Sequence, residues 1–239
     1  MVTPSILPLK LESASVRKRG KTILDNISTE LPATGLTVVM GPNGSGKTTL
    51  LRLMHGLERP RSGSVKWNVT DAEARARQAF VFQTPVMLRR SVLDNIAYPL
   101  LVRREAKATA RQKAAQWAQD VGLGENPSLN AQYISGGERQ KLAIARALIV
   151  EPEVVFLDEP TTNLDGQSMK EIESILLAAH KNGTRIILTT HDIGQAKRLA
   201  NTVIFLNKGS LCEQSKASDF FNAPKTKAAQ AYLKGDIVE

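Results

Sequence analysis

The segment Gly41-Pro42-Asn43-Gly44-Ser45-Gly46-Lys47-Thr48 constrains this chain more than any other stretch, because it satisfies the pattern GxxxxGK[ST] in full. An apolar, branched run, Leu36 to Met40, precedes it, and the residues after it predict a helix over 47–57. That strand–loop–helix order is the setting in which the pattern cradles phosphate. The loop curls so that backbone N–H groups turn inward, and the helix N-terminus adds the positive end of its dipole. Gly41, Pro42, Asn43, Gly44, Ser45 and Gly46 are therefore expected to wrap a nucleotide's phosphates. Lys47 is expected on the β- and γ-phosphates, Thr48 on Mg²⁺, and Thr49 beside them. The alternative is an ordinary glycine-rich turn, which the flanking strand and helix disfavour.

Apolar runs of the same kind at 154–157, 186–188 and 203–206 predict further strands, buried on both faces as in a parallel sheet. Residues 10–31 read as edge strands turning at Gly20-Lys21, and helices are expected at 91–101, 106–121, 138–149, 168–181 and 192–200. Strands alternating with helices give an α/β fold. Between Pro85 and Val150 there is almost no strand signal, so an all-helical insertion is expected there. No apolar run approaches the roughly 20 residues of a membrane span, and Met1 to Leu11 lacks the long apolar stretch of a secretory signal. The lone Cys212 cannot form an internal disulfide, which suits a reducing cytoplasm, and reads as a small hydrophobe. A net charge of +9 favours anionic partners, whether nucleic acid, nucleotide phosphates or an anionic membrane face, without choosing among them.

The strand at 154–157 runs into Asp158 and Glu159. Ligands of open α/β sheets sit at the carboxyl ends of strands. Asp158 is expected to hold Mg²⁺, directly or through water, and Glu159 to act as general base on the attacking water. Taken alone, the pair reads equally as two solvated charges ending a strand.

Ile134-Ser135-Gly136-Gly137-Glu138-Arg139-Gln140 lies between these two sites and resembles the signature motif of ATP-binding cassette (ABC) ATPases. Gln83, in Val81-Phe82-Gln83, is similar to that family's Q-loop; Asn163-Leu164-Asp165 to its D-loop; Thr190-His191-Asp192 to its switch histidine. The order and spacing agree over almost the whole chain. The resemblance implies a P-loop core with an antiparallel β edge subdomain and an inserted helical subdomain. Residues 1–239 then form a single ATP-binding domain, with 1–84 and 151–239 as the core and 85–150 as the helical part carrying the signature. It also implies a head-to-tail homodimer around two ATPs, in which Ser135, Gly136, Gly137 and Glu138 face the nucleotide of the second copy. Gln83 is implied as a further Mg²⁺ ligand and catalytic residue, and His191 as a γ-phosphate contact. Independently of the family, Ser135 to Glu138 reads S-x-x-E, a capping box for a helix over 139–149. Glu138 stands where the family more often has Gln. It either turns back onto its own cap or weakens ATP-driven closure. His55 and His180 carry no such context.

The family spans transporters, DNA-repair ATPases and translation factors. One cassette, no long insertion and no Cys₄ zinc set favour a transporter subunit with membrane-spanning permease chains as separate partners, working at the cytoplasmic face of the membrane. No nucleic-acid partner is expected, although nucleic-acid-linked ATPases remain the alternative. The segment 83–92 resembles the groove that receives the permease's coupling helix. Val86, Met87 and Leu88 are read either as that contact or as packing against the helical part, and Arg89 and Arg90 as contacts to acidic groups or a solvated face. The 86–90 segment and the tail from Phe220 to Asp236 resemble importer ATPases for small oxyanions, most nearly the tungstate type, fed by a substrate-binding protein. The stretch after His191 is short for the regulatory domain that sugar-importer ATPases append. A phosphate or amino-acid importer and an exporter stay open. The family stacks an aromatic on adenine just before the phosphate loop, yet the first aromatic here is Trp67. Val16, Lys18 and Arg19 are the expected substitutes, by apolar or cation–π contact.

Overall fold

The computed structural model describes residues 4–236; of the Met1–Leu11 stretch considered above, residues 1–3 lie outside it. In chain order the elements are β1 (Leu9–Lys18), β2 (Lys21–Leu31), β3 (Leu36–Met40), α1 (Lys47–His55), β4 (Ser62–Lys66), α2 (Asp71–Ala76), β5 (Gln78–Val81), α3 (Val92–Val102), α4 (Lys107–Asp120), α5 (Gly136–Leu148), β6 (Val154–Asp158), α6 (Gly166–Lys181), β7 (Arg185–Thr189), α7 (Ile193–Leu199), β8 (Thr202–Asn207), β9 (Ser210–Lys216), α8 (Ala217–Asn222) and α9 (Lys227–Lys234). They form a six-stranded sheet in the order β5-β6-β7-β3-β8-β9 and a three-stranded sheet β2-β1-β4. The first sheet is parallel except at its β9 edge, which pairs antiparallel with β8. The second is antiparallel throughout.

The predicted apolar runs are β3, β6, β7 and the inner part of β8, and β3, β6 and β7 are buried at every position. Successive side chains of a strand point to opposite faces, so each run feeds two cores. Val38, Met40, Val155, Leu157, Ile186, Leu188, Val203 and Phe205 share one with residues of α5 to α9. Val39, Val154, Phe156, Ile187, Ile204 and Leu206 share the other with α1 and the antiparallel sheet. A third cluster holds α3, α4 and part of α5 together through Ile96, Leu100, Ala114 and Leu142. Helix α5 faces both ways: Ile144 and Leu148 enter the sheet's core, while Leu142 and Ala145 enter the helical cluster.

Three strands escaped the pattern reading. β4 (SGSVK) and β9 (SLCEQSK) are edge strands with polar sequences, and β5 is four residues opening on Gln78. The short helices α2, α8 and α9 escaped it too. Helix α1 stops earlier than expected, because Gly56 takes the left-handed conformation that closes a helix. Helix α5 starts earlier, on Gly136, because Ser135 caps it despite two poor helix formers.

Candidate functional site

The loop from Gly41 to Gly46 bridges β3 and α1. Gly41 has φ 147° and Gly46 φ 103°. A Cβ on Gly41 would lie 2.1 Å from the Leu206 carbonyl oxygen, and one on Gly46 2.7 Å from Leu24 Cδ2. Both positions therefore require glycine on two counts, conformation and space. Among the described residues no side chain caps α1, so the N–H groups of its first turn face the loop cavity with the positive end of the helix dipole. The buried Ser45 hydroxyl likewise has no partner among the described residues. Lys47 lies along the loop and donates from Nζ to the carbonyls of Gly41 (2.9 Å) and Pro42 (3.2 Å). Burial pushes its pKa down, while Glu159 and Asp158 push it back up. Ile23, Asn43, Gly44, Thr48, Thr49 and Glu159 complete the lining of a cavity of about 310 Å³.

The end of β6 meets this loop from the side. Asp158 Oδ1 accepts from Thr48 Oγ1 and from Thr189 Oγ1, each at 2.9 Å. Thr189 Oγ1 in turn accepts from the Glu159 amide at 2.8 Å, so one hydroxyl at the end of β7 sets both acids. Glu159 has φ 44°, a left-handed conformation that a non-glycine residue takes at a cost and that recurs at functional sites. Its Oε2 accepts from Thr162 Oγ1 (2.9 Å) and Gln83 Nε2 (3.3 Å) and lies 3.2 Å from His191 Nδ1. Its Oε1 lies 4.0 Å from Lys47 Nζ. The carboxylate is mostly buried, whereas the His191 ring is half-exposed. Lys47, Thr48, Gln83, Asp158, Glu159 and His191, read separately along the sequence, thus meet at the carboxyl ends of parallel strands. Thr162 and Thr189 were missed; a threonine in a turn or at a strand end carries no signal of its own.

The donor set suits Mg²⁺ rather than a softer metal. Thr48, Asp158 and Gln83 offer oxygens, and among the described residues no cluster of three or more His, Cys, Asp or Glu forms an all-protein metal cage. Mg²⁺ is characteristically bound by one or two carboxylates together with substrate phosphates and water.

The Ser135–Glu138 segment stands apart from this convergence. Its capping box is complete: the Ser135 amide donates to Glu138 Oε2 (2.8 Å), and the Glu138 amide to Ser135 Oγ (3.3 Å). Glu138 therefore turns back on its own cap, and those Ser135 bonds hold its pKa down. A Cβ on Gly137 would lie 2.5 Å from Ser168 Oγ, so this helix end packs closely on α6. Asp165 caps α6 through the Ser168 amide at 2.8 Å.

Around the base position the structure redistributes the expected contacts. Val16 is buried in the core and turns away from the cavity. Lys18 is ion-paired with Glu58. Arg19 is exposed in the turn between β1 and β2 with φ 48°. Ile23, not singled out from the sequence, lines the cavity. His55 is wedged edge-on between Phe80 and Phe156, and burial pushes its pKa down to about 4. It is a neutral packing residue.

A separate groove of about 450 Å³ opens beside the Gln83 loop, lined by Phe82, Pro85, Leu88, Tyr98, Val102 and Arg146 among others. Val86 at its edge is 76% exposed. Met87 instead packs against two cores, so of the Val86–Leu88 run it is Val86 that is presented outward. The loop is braced: the buried Asn95 accepts from the Leu88 amide at 2.9 Å and donates to the Arg90 and Ser91 carbonyls, and Arg146 donates to the Val86 carbonyl at 2.9 Å. Among the described residues no helix is long and apolar enough to cross a membrane.

The ABC transporter family model matches residues 24–162. The arginine transport ATP-binding protein ArtM of Bacillus subtilis is 34% identical over 236 residues, covering 95% of this chain and 98% of its own. The tungstate uptake system ATP-binding protein TupC of Peptoclostridium acidaminophilum is 37% identical over 204 residues, covering 84% and 94%. Among solved structures, a dimeric ATP-binding cassette in a post-hydrolysis state, bound to ADP and Pi, superposes with a TM-score of 0.78 at 27% identity, covering 87% of this chain and 98% of that one. With the phosphate loop, the acidic strand end and the signature helix arranged as described, the chain belongs to the ABC transporter family as an ATP-binding, ATP-hydrolysing subunit.

Proposed function

We propose that two copies of this subunit close head to tail around two MgATP and drive import of a small oxyanion of the tungstate type through separate permease chains at the cytoplasmic face of the membrane. The observation that carries the catalytic part is the convergence on Glu159 Oε2 of Gln83, Thr162 and His191, with Lys47 at the other carboxylate oxygen. Gly41 to Thr49 bind the phosphates. Thr48, Asp158 and Gln83 hold Mg²⁺, which neutralises phosphate charge. Glu159 takes the proton of the attacking water, and His191 addresses the γ-phosphate beside it. Ser135, Gly136, Gly137 and Glu138 present a helix N-terminus to the nucleotide of the second copy. Arg19 lies over the base, with Ile23 supplying apolar contact. Residues 1–84 and 151–239 act as the nucleotide-binding core and 85–150 as the helical part that carries the signature.

The groove beside Gln83 takes an apolar segment of the permease. Its occupant is thereby one short loop away from a group on the catalytic carboxylate. A binding protein that delivers the cargo completes the system. The oxyanion assignment is supported by TupC, a tungstate uptake ATPase. Similarity to ArtM and to the glutamate/aspartate import ATPase GltL of Escherichia coli, 34% identical over 221 residues, favours a second reading as an amino-acid importer.

Reconstitution with the permease and binding protein from its own gene cluster tests the choice. ATP hydrolysis stimulated by tungstate-loaded binding protein is the expected result. Stimulation by an amino acid instead establishes the second reading. Stimulation of the isolated subunit by DNA or RNA, falling steeply with salt, refutes both.

A further inference from the structure

The C-terminal helix α9 reaches the reaction site from a part of the chain outside the nucleotide-binding motifs. Thr226 caps it, Gly235 closes it in the left-handed conformation, and Ala229 is buried in the core shared with the sheet. Tyr232 projects from it onto Phe205, with ring centroids 5.3 Å apart, and Phe205 packs on Phe220 of α8. Phe205 pairs with Met40 in the parallel ladder between β8 and β3. The phenol is thereby delivered to the point where β3 becomes the phosphate loop and β7 becomes the switch segment. Its hydroxyl donates to the His191 carbonyl at 3.4 Å.

The packing of Tyr232 on Phe205, beside Met40 at the start of the phosphate loop, and its bond to His191 join two elements that the reaction needs in register. Gly41 is the residue whose carbonyl accepts from Lys47 Nζ. His191 has a half-exposed ring that rests on Glu159, so the backbone beneath it governs where the ring sits. On the far side, α7 is anchored through Gln195, which donates to Thr161 at 2.9 Å and to Glu173 at 3.3 Å. On the near side, the Thr190 amide reaches the Val39 carbonyl at 3.3 Å and the Asp192 amide reaches Thr190 Oγ1 at 3.0 Å. The His191 carbonyl between them takes its bond from Tyr232.

We infer that Tyr232 is a positioning residue for hydrolysis, its ring seated on Phe205 beside the strand that enters the phosphate loop and its hydroxyl holding the backbone of His191 so that the imidazole stays on Glu159. The inference rests on the reading of His191 as a γ-phosphate contact. Packing of the tail needs the ring of Tyr232 and not its oxygen, so Tyr232→Phe separates the two roles.

The test is a cycle of Tyr232→Phe, His191→Ala and the double variant, each measured for kcat and KM with MgATP and for thermal midpoint. At 3.4 Å the bond is long for an O–H donor, so its loss is worth the lower end of the usual range, about a two- to threefold fall in kcat. It should appear in Tyr232→Phe with KM and midpoint unchanged. The double variant should be no slower than His191→Ala alone, because two residues acting through one geometry are not additive. Parent kcat in Tyr232→Phe beside an impaired His191→Ala overturns this inference and leaves the role of His191 standing. Multiplied losses in the double variant overturn it in the same way. A fully active His191→Ala overturns both.

Discussion

Glu159→Gln is the sharpest test of the proposed chemistry. The side chain's Oε2 gathers two hydrogen bonds, from Thr162 at 2.9 Å and Gln83 at 3.3 Å, with His191 Nδ1 at 3.2 Å. A glutamine placing its amide oxygen there keeps these contacts, because all three neighbours can donate to a neutral carbonyl. Its NH₂ then replaces Oε1, 4.0 Å from Lys47 Nζ. Lys47 loses that distant attraction but keeps the Gly41 and Pro42 carbonyls. The fold and the phosphate loop should therefore survive, while the proton acceptor disappears. A positioned general base contributes roughly 10²–10⁴-fold, or about 3–5 kcal/mol in the barrier. Phosphate release should fall by that factor while ATP binding is retained or tightened, since a negative charge has left the neighbourhood of the triphosphate. Size-exclusion chromatography with MgATP should then show an accumulated dimer. Hydrolysis by Glu159→Gln at the parent rate would refute the assignment of the base, whatever the dimer does.

Glu138→Gln should preserve the cap, because glutamine serves equally in a capping box. It removes a charge from the helix end proposed to face the second nucleotide, so the ATP-dependent dimer should tighten in analytical ultracentrifugation. Val86→Asp should leave the folded subunit and its own ATPase intact, the site being an exposed one where substitutions stay within about 0.5 kcal/mol. It should nevertheless weaken co-purification with the permease at least about tenfold, because an unpaired charge would enter an apolar contact. His55 makes a prediction about pH. Its folded value lies near 4 against an unfolded 6.5, so the unfolded chain takes up its proton first. Stability is whole above pH 6.5 and falls as pH drops towards 4, by no more than about 3 kcal/mol. Thermal unfolding of His55→Phe, which keeps the edge-on packing, should lose that part of the acid slope.

The features legible in the sequence are those whose cause is local. The phosphate loop, the strand ending in Asp158-Glu159 and the Ser135–Glu138 cap each lie within a few consecutive residues. There the spacing of glycines, acids and hydroxyls already dictates the backbone donors and the helix start. The buried parallel strands were legible for a related reason: covering on both faces demands an unbroken apolar run. That same run conceals which core each residue enters, and the alternation of Val38 and Val39 between two cores was visible only in the folded sheet. Polar edge strands such as β4 and β9 gave no pattern, since water or a neighbouring chain segment satisfies their outer face. Met87 and Val86 look interchangeable in sequence, yet packing half-buries one and presents the other. Thr189 and Tyr232 mattered only once the chain had closed. Each is an ordinary hydroxyl in sequence and acquires meaning from a partner far along the chain that the fold brings to the same end of the sheet. Local sequence sets backbone conformation because sterics and capping act over a few residues, whereas the convergence of distant side chains on one carboxylate is a property of strand order, which no short segment encodes.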